Sequence, residues 1–255
     1  MYQGGKALIN NSNYYSIPYI MALPKPIRPE YNTTIPSTGK KIKYQPFSVK
    51  EEKVLILAAE SGDIDEVTNA ITNVLQRCIT SPTDLDVEDL ALFDIEYLFL
   101  RTRAKSAGET IKVMVTDPED ESYSVEHEIN IDKITVKKNP DHTELIKIDD
   151  DISIKMKYPG IRFFAEGINV DDMQSSIETV AKCVGQIVVG EEVYNRADMS
   201  EEEIVEWLES LTTDQFTKVM EFFKTMPKMS HTIKLKNKKT SKDFSVTLEG
   251  LSDFF

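Results

Sequence analysis

The apolar positions change period along the chain, and each change predicts a change of element. Ile64, Val67, Ile71, Val74, Leu75 and Cys78 recur at the spacing of one helix face, as do Phe216, Val219, Met220 and Phe223. In DVEDLALFDIEYLFLRTRAKSAGE, Leu90, Phe93, Tyr97 and Leu98 line one face while Leu92, Phe99 and Leu100 make another apolar, which predicts a helix central to a core. Met173, Ile177, Val180, Val184 and Ile187 step by four, three, four and three, and predict a single one-faced helix running through Ile187. From Thr110 to about Phe164 the period becomes two. Ile111, Val113 and Val115, then Val125, Ile129 and Ile131, then Ile134 and Val136, then Ile152, Ile154 and Met156 alternate with polar residues, as half-exposed antiparallel strands do. Turn signals separate these runs at DPEDES, NPD, DDD and YPG.

Start and stop signals sharpen the helices. Ser48 with Glu51, Ser200 with Glu203, and Thr212 with Gln215 have capping-box spacing, and Asp63 with Glu66 repeats the start signal after the stop at Gly62. Ile204, Trp207, Leu208 and Leu211 follow the second of these starts, and Pro227 ends the helix opened by Thr212. The closing stretch HTIKLKNKKTSKDFSVTLEGLSDFF reads as a hairpin with Ile233, Leu235, Phe244, Val246 and Leu248 as its buried set. It echoes ETIKVMVTDPEDESYSVEHEINIDKI upstream, and each of the two hairpins follows an amphipathic helix. A hairpin alone is marginal in water, so each is expected to lie against the helix that precedes it.

The predicted fold class is α+β: a helical scaffold with small antiparallel hairpins and a β-rich central module. About three helices and a hairpin occur on either side of that module, a pseudo-repeat of element order with few shared identities. By composition the chain divides into an extended N-terminal arm with a short hairpin (1–47), a helical segment (48–109), an antiparallel β module (110–165) and a helical segment with the closing hairpin (166–255). The arm is rich in proline and carries Tyr14, Tyr15 and Tyr19. It reads either as a strap lying along a neighbour or as a tail or leader ahead of Met21. Within it, YNTTIPSTGKKIKYQPF predicts two strands around a turn at Ser37, Thr38 and Gly39.

Charge and chemistry then narrow the function. With 43 Asp and Glu against 30 Lys and Arg, the net charge of −13 argues against a surface built to track phosphate backbones or anionic membranes. No apolar run approaches the roughly 20 residues of a membrane span. The start lacks the layout of a secretion signal, so a cytoplasmic setting is expected. Cys78 and Cys183 fall on apolar helix faces and read as small core hydrophobes. His127, His142 and His231 are scattered without ligand spacing, and the hairpin tips, KNKKTSKD and TDPEDES, lack the cysteines of a zinc ribbon. Asp149, Asp150 and Asp151 do not reproduce a calcium loop and read as a solvated turn, while Glu201, Glu202 and Glu203 suit the first turn of a helix. The lysines of KLKNKKTSK read as a solvated or partner-facing tip. Neither a phosphate-binding glycine loop nor a nucleophile elbow is present, and no cofactor, metal or catalytic set is expected. Phe254 and Phe255 follow directly on a strand. Such a pair either folds back on its own core or docks into another subunit, and with the three tyrosines it makes the candidate set of partner contacts.

PSTGKKIKYQPFSVKEEKVLILAAESGD, DIEYLFLRTRAKSAGETIKV and MEFFKTMPKMSHTIKLKNKKTSKDFSVTLEGLSDFF together resemble the baseplate hub assembly proteins of T-even-like contractile-tailed bacteriophages, over roughly Met21 to Phe255. The resemblance implies a late, non-enzymatic protein that builds or forms part of the baseplate central hub through protein–protein contacts. Its partners would be other hub and tail proteins, or a second copy, and neither nucleic acid nor membrane. Its setting would be the host cytoplasm during assembly, or the tail of the virion. Some relatives carry cysteine pairs at hairpin tips; this chain has lysine, asparagine, aspartate and glutamate there, so packing must hold its hairpins. A degenerate zinc-ribbon-like regulator that binds nucleic acid is the alternative, weakened by the acidity and the missing ligands. A hydrolase is weaker still, since no pair of carboxylates or nucleophile with base stands out.

Overall fold

Local chemistry places most helix ends where the sequence puts them. A computed structural model describes residues 26–163 and 172–251. Tyr14, Tyr15, Tyr19, Phe254 and Phe255 lie outside those residues. Among the described residues there are six α-helices: α1 (Val49–Ser61), α2 (Ile64–Cys78), α3 (Leu92–Ala107), α4 (Met173–Cys183), α5 (Glu201–Glu209) and α6 (Thr213–Thr225). Glu51 accepts from the Ser48 amide at 2.7 Å and from its hydroxyl, opening α1. Gly62 closes it with the left-handed φ of 69° that a residue without Cβ adopts freely. Asp63 accepts from the amides of Asp65 and Glu66, and the pairs Ser200 with Glu203 and Thr212 with Gln215 both form capping boxes. The fold class is α+β.

Twelve strands form four antiparallel sheets among these residues. β1 (Tyr31–Thr34) and β2 (Lys41–Tyr44) make the first hairpin about Ser37–Gly39, and β3 (Ile79–Ser81) joins β2. β4 (Thr110–Asp117) and β5 (Asp120–Asn130) pair with each other. β6 (Thr135–Lys137) joins the closing hairpin of β11 (Lys228–Lys236) and β12 (Asp243–Glu249), in the order β12-β11-β6. β7 (Leu145–Lys147), β8 (Ile152–Met156), β9 (Val184–Val189) and β10 (Glu192–Asn195) form a sheet in the order β10-β9-β8-β7. The alternating runs between 110 and 156 are thus dealt out among three sheets rather than joined in one.

Three expectations are corrected. The helix predicted through Ile187 ends at Cys183, and Val184 starts the inner strand β9, paired on both sides by β8 and β10. Val184, Ile187, Val188 and Val189 are β-branched, and a Cβ on Gly185 would come within 3.0 Å of the Lys155 carbonyl, so this backbone is held close against β8. The helix expected from Asp86 begins at Leu92. Asp86 instead caps a short 3₁₀ turn at Val87–Asp89, and the Leu92 amide donates to the Pro159 carbonyl at 2.8 Å. The first echoing hairpin does pack on its preceding helix, with Ile111, Val115 and Ile129 against Leu100 and Ala104 of α3. The closing hairpin does not pack on α6. Its Met229, Ile233 and Leu248 join that same cluster on α3, because β11 begins straight after Pro227 and is drawn to β6 through the Met229–Val136 pairing.

Among the described residues apolar side chains gather in three clusters. One unites the β7–β10 sheet with α4, α5 and α6, and Ile154, Met156, Val180 and Val219 are fully buried in it. One lies between α3 and the two echoing hairpins. The last joins β1–β2, α2 and α3 around Leu75, Ile95 and Leu98. Since α3 serves the last two, it is central to the core, as apolar residues on more than one of its faces predict.

Candidate partner-binding surfaces

The first turns of α3 are buried on nearly every side, and the two acids they carry, Asp94 and Glu96, are buried with them. Asp94 is fully buried and Glu96 is 6% exposed. Asp94 accepts from the Ser37 amide at 2.9 Å and from its hydroxyl at 2.5 Å, which ties the turn of the first hairpin to α3. Glu96 accepts from the Leu251 amide at 3.1 Å, and so ties the end of β12 to the same helix. Burial raises both carboxyls, Glu96 to about 7, because the charged form loses its hydration. The sequence reading missed both residues. The signal was there in FDIEYLFL, where acids sit inside an otherwise apolar run.

The tips of the two echoing hairpins meet. Asn237 is fully buried and donates from Nδ2 to Oδ2 of Asp117 at 2.8 Å and to Oδ2 of Asp120 at 3.2 Å. Its own Oδ1 accepts from the amides of Lys239 and Thr240, which shapes the closing turn. Lys239 donates to the Ser122 carbonyl at 3.1 Å, and Lys242 pairs with Glu119 at 3.3 Å. The Ser122 hydroxyl and the Asn237 amide hold Asp120 below the usual carboxylate range. A basic tip therefore meets an acidic one, and two of the lysines expected to face solvent or a partner have intramolecular partners.

Other singled-out residues have structural roles. Cys78 and Cys183 are buried, with their thiols pushed up to about 11 and about 12, far from the thiolate a nucleophile needs. His142 bonds Thr225 and Tyr158 at 3.0 Å each and stacks among Tyr158 and Phe222. Asp149 accepts from the amides of Asp151 and Ile152, a turn closing β7 onto β8. Among the described residues no group of three or more His, Cys, Asp or Glu is placed to hold a metal ion. No helix there is long and apolar enough to cross a membrane.

What the surface does offer is apolar area on the α1–α2 hairpin. Val49 is 81% exposed, Ile56 51%, Leu57 54% and Ile64 52%, with Val54 beside them. On α1 these side chains span a wide outward arc, while Leu55, Ala58 and Ala59 point to a pocket of about 430 Å³ beneath the helix. The pocket is walled by α1, α2 and α3 through residues such as Leu55, Ile71, Ile95 and Phe99. The half-exposed Ile56 also lines it, and Glu52, Glu96 and Arg103 are its charged lining residues. A second feature is the strand edge. β10 is exposed along its whole length, with Val193 and Tyr194 about half exposed, and nothing among the described residues pairs its outer side.

Among the described residues this α+β protein presents exposed apolar side chains on α1 and α2 and an open strand edge at β10. A family model described as T4 bacteriophage base plate protein matches residues 28–255, nearly the whole chain. The chain belongs to that family. No significant match was found among curated proteins or among solved structures.

Proposed function

We propose that this phage baseplate protein builds or forms part of the central hub of the tail baseplate, acting without catalysis through contacts with other hub and tail proteins. The observation that carries this reading is the exposed aliphatic arc of Val49, Val54, Ile56, Leu57 and Ile64 on a chain of the baseplate family. Monomeric proteins seldom expose contiguous apolar patches larger than a few hundred Å², and covering each such side chain contributes on the order of 1 kcal/mol. The arm with Tyr14, Tyr15 and Tyr19 adds rigid aromatic contacts, and the open edge of β10 accepts a partner strand. The setting is the host cytoplasm during assembly.

The test is affinity capture from infected cells with the unaltered chain and with Ile56→Ser/Leu57→Ser. A hub or tail protein retained by the first and lost from the second is the expected result. Equal capture by both would remove the arc from the reading, and release of a small-molecule product by the purified chain would remove the non-enzymatic role.

A further inference from the structure

The outer edge of β10 has a backbone geometry that selects one kind of strand. Val189 and Glu192 face each other across a two-residue turn at Gly190 and Glu191, so that pair exchanges both of its backbone hydrogen bonds. Bonded and non-bonded pairs then alternate along β9 and β10. The N–H and C=O of Tyr194 therefore point to Ile187, and those of Val193 and Asn195 point away from the sheet. Asn195 is still extended, with φ −86° and ψ 151°, before the chain turns into a 3₁₀ segment at Arg196–Asp198. Every residue of β10 is exposed, on both faces of the strand, so its outward groups are open to an incoming strand among the described residues.

Side chains make this edge complementary to itself. Glu192, Tyr194 and Arg196 alternate onto one face, and Val193 and Asn195 onto the other. A second β10 running antiparallel about a two-fold axis must set one residue opposite its own copy, because neighbouring pairs differ in kind and the symmetry cannot exchange them. With Tyr194 on the axis, Val193 of each chain meets Asn195 of the other and the outward groups form four backbone hydrogen bonds. Glu192 then lies opposite Arg196 at both ends, and the two tyrosines form the closer, non-bonded kind of pair in which aromatic side chains touch. An axis on Val193 would set no cation opposite either glutamate, and one on Glu192 would set carboxylate against carboxylate. Arg196 spends one N–H on the Met199 carbonyl at 2.9 Å, out of the five that a guanidinium carries.

We propose that β10 pairs with β10 of a second copy of this chain, antiparallel and with Tyr194 on the two-fold axis, joining two four-stranded sheets into one. This names the strand that the open edge takes and rests on the reading of that edge as a strand acceptor. It leaves the outward arc of α1 to other tail proteins.

Sedimentation equilibrium tests it, and the unaltered chain should show a monomer–dimer equilibrium. The φ of Asn195 is close to the one proline imposes, so Asn195→Pro should keep the circular dichroism while removing an outward N–H from each chain. Two backbone hydrogen bonds fewer should weaken the dimer about thirtyfold. Asn195→Ala keeps the N–H and should stay dimeric. Glu192→Arg and Arg196→Glu should each weaken the dimer, and the double exchange should restore it. On oxidation Tyr194→Cys should give an intermolecular disulfide and Val193→Cys should not, because only a residue on the axis lies within disulfide reach of its own copy. A chain that stays monomeric at its highest soluble concentration overturns the proposal, as does a dimer that Asn195→Pro leaves unchanged. So does a double exchange that restores nothing, or a disulfide in the Val193→Cys variant instead. Dimers lost in Ile56→Ser/Leu57→Ser would put the contact on α1 and overturn it too. Dimers kept in that variant while capture of a hub or tail protein fails even with the unaltered chain would leave this pairing standing and remove the hub reading alone.

Discussion

The core beneath α4, α5 and α6 and the pocket beneath α1 are built from the same kinds of residue, and they differ in how completely apolar surface meets apolar surface. In the first, Phe222 is flanked edge-on by Phe223 at 5.2 Å and stacks on Tyr158 at 5.4 Å, with His142 at 5.1 Å, and Ile204, Val219 and Ile154 are fully buried around them. In the second, α1 buries Ala58 and Glu51, Val49, Val54 and Leu57 face outward, and Leu55, Ile56 and Ala59 line a pocket of about 430 Å³. The first region has used its apolar residues to fold. The second holds them in reserve, so equivalent truncations should act on stability in one and on association in the other.

The largest effect should come from Phe222→Ala, which removes the centre of the filled core and should cost about 3–5 kcal/mol. Urea unfolding measures it, and a loss below about 1 kcal/mol would mean that this core is not the better packed of the two. Next comes pH. The unfolded Glu96 carboxyl titrates near 4.5 and the buried one near 7, so the folded state holds an extra proton between those values. Stability should therefore fall as pH rises through that window, by roughly 3 kcal/mol at most by about pH 8. Asp94, also raised by burial, adds to the slope, while His142 and His231, held low by burial, oppose it below about pH 6.5. Glu52 and Arg103 share the pocket with Glu96. The decisive quantity is thus the difference between Glu96→Gln and the unaltered chain in urea midpoints at two pH values. A glutamine variant with an unchanged slope would rule Glu96 out as its source.

Asn237→Ala should cost about 2 kcal/mol, because it leaves the buried Asp117 carboxylate without its amide partner. Lys242→Ala, which removes only an exposed pair at the same tips, should fall within about 0.5 kcal/mol. Equal losses from both would mean that charge rather than the buried amide joins the hairpins. The smallest stability change should come from Leu57→Ser on the open arc, within about 0.5 kcal/mol by the same measurement. A loss there as large as that of Phe222→Ala would erase the contrast between the two regions.

How far each feature could be read from sequence follows from the distance over which it is decided. Ser48 with Glu51, Asp63, Ser200 with Glu203, and Thr212 with Gln215 satisfy orphan amides within three residues, so their helix starts are legible. Met173 to Ile187 fits one helix face equally well whether or not Val184–Val189 is a strand, and the choice fell to β8 and β10 on either side. The open arc of α1 was not legible. VKEEKVLILAAES is apolar on several faces, and only the placement of α2 and α3 decides which of them is covered.

By itself the sequence determined the α+β class, the caps and the paired strands of each hairpin, because these rest on contacts between near neighbours. Only the tertiary structure decided that both echoing hairpins share α3, that Asn237 lies between two aspartates 117 and 120 residues away, and that Asp94 and Glu96 are buried anchors. The reason is physical. A local pattern fixes which side chains share a face, whereas which face meets which depends on packing the whole chain at once.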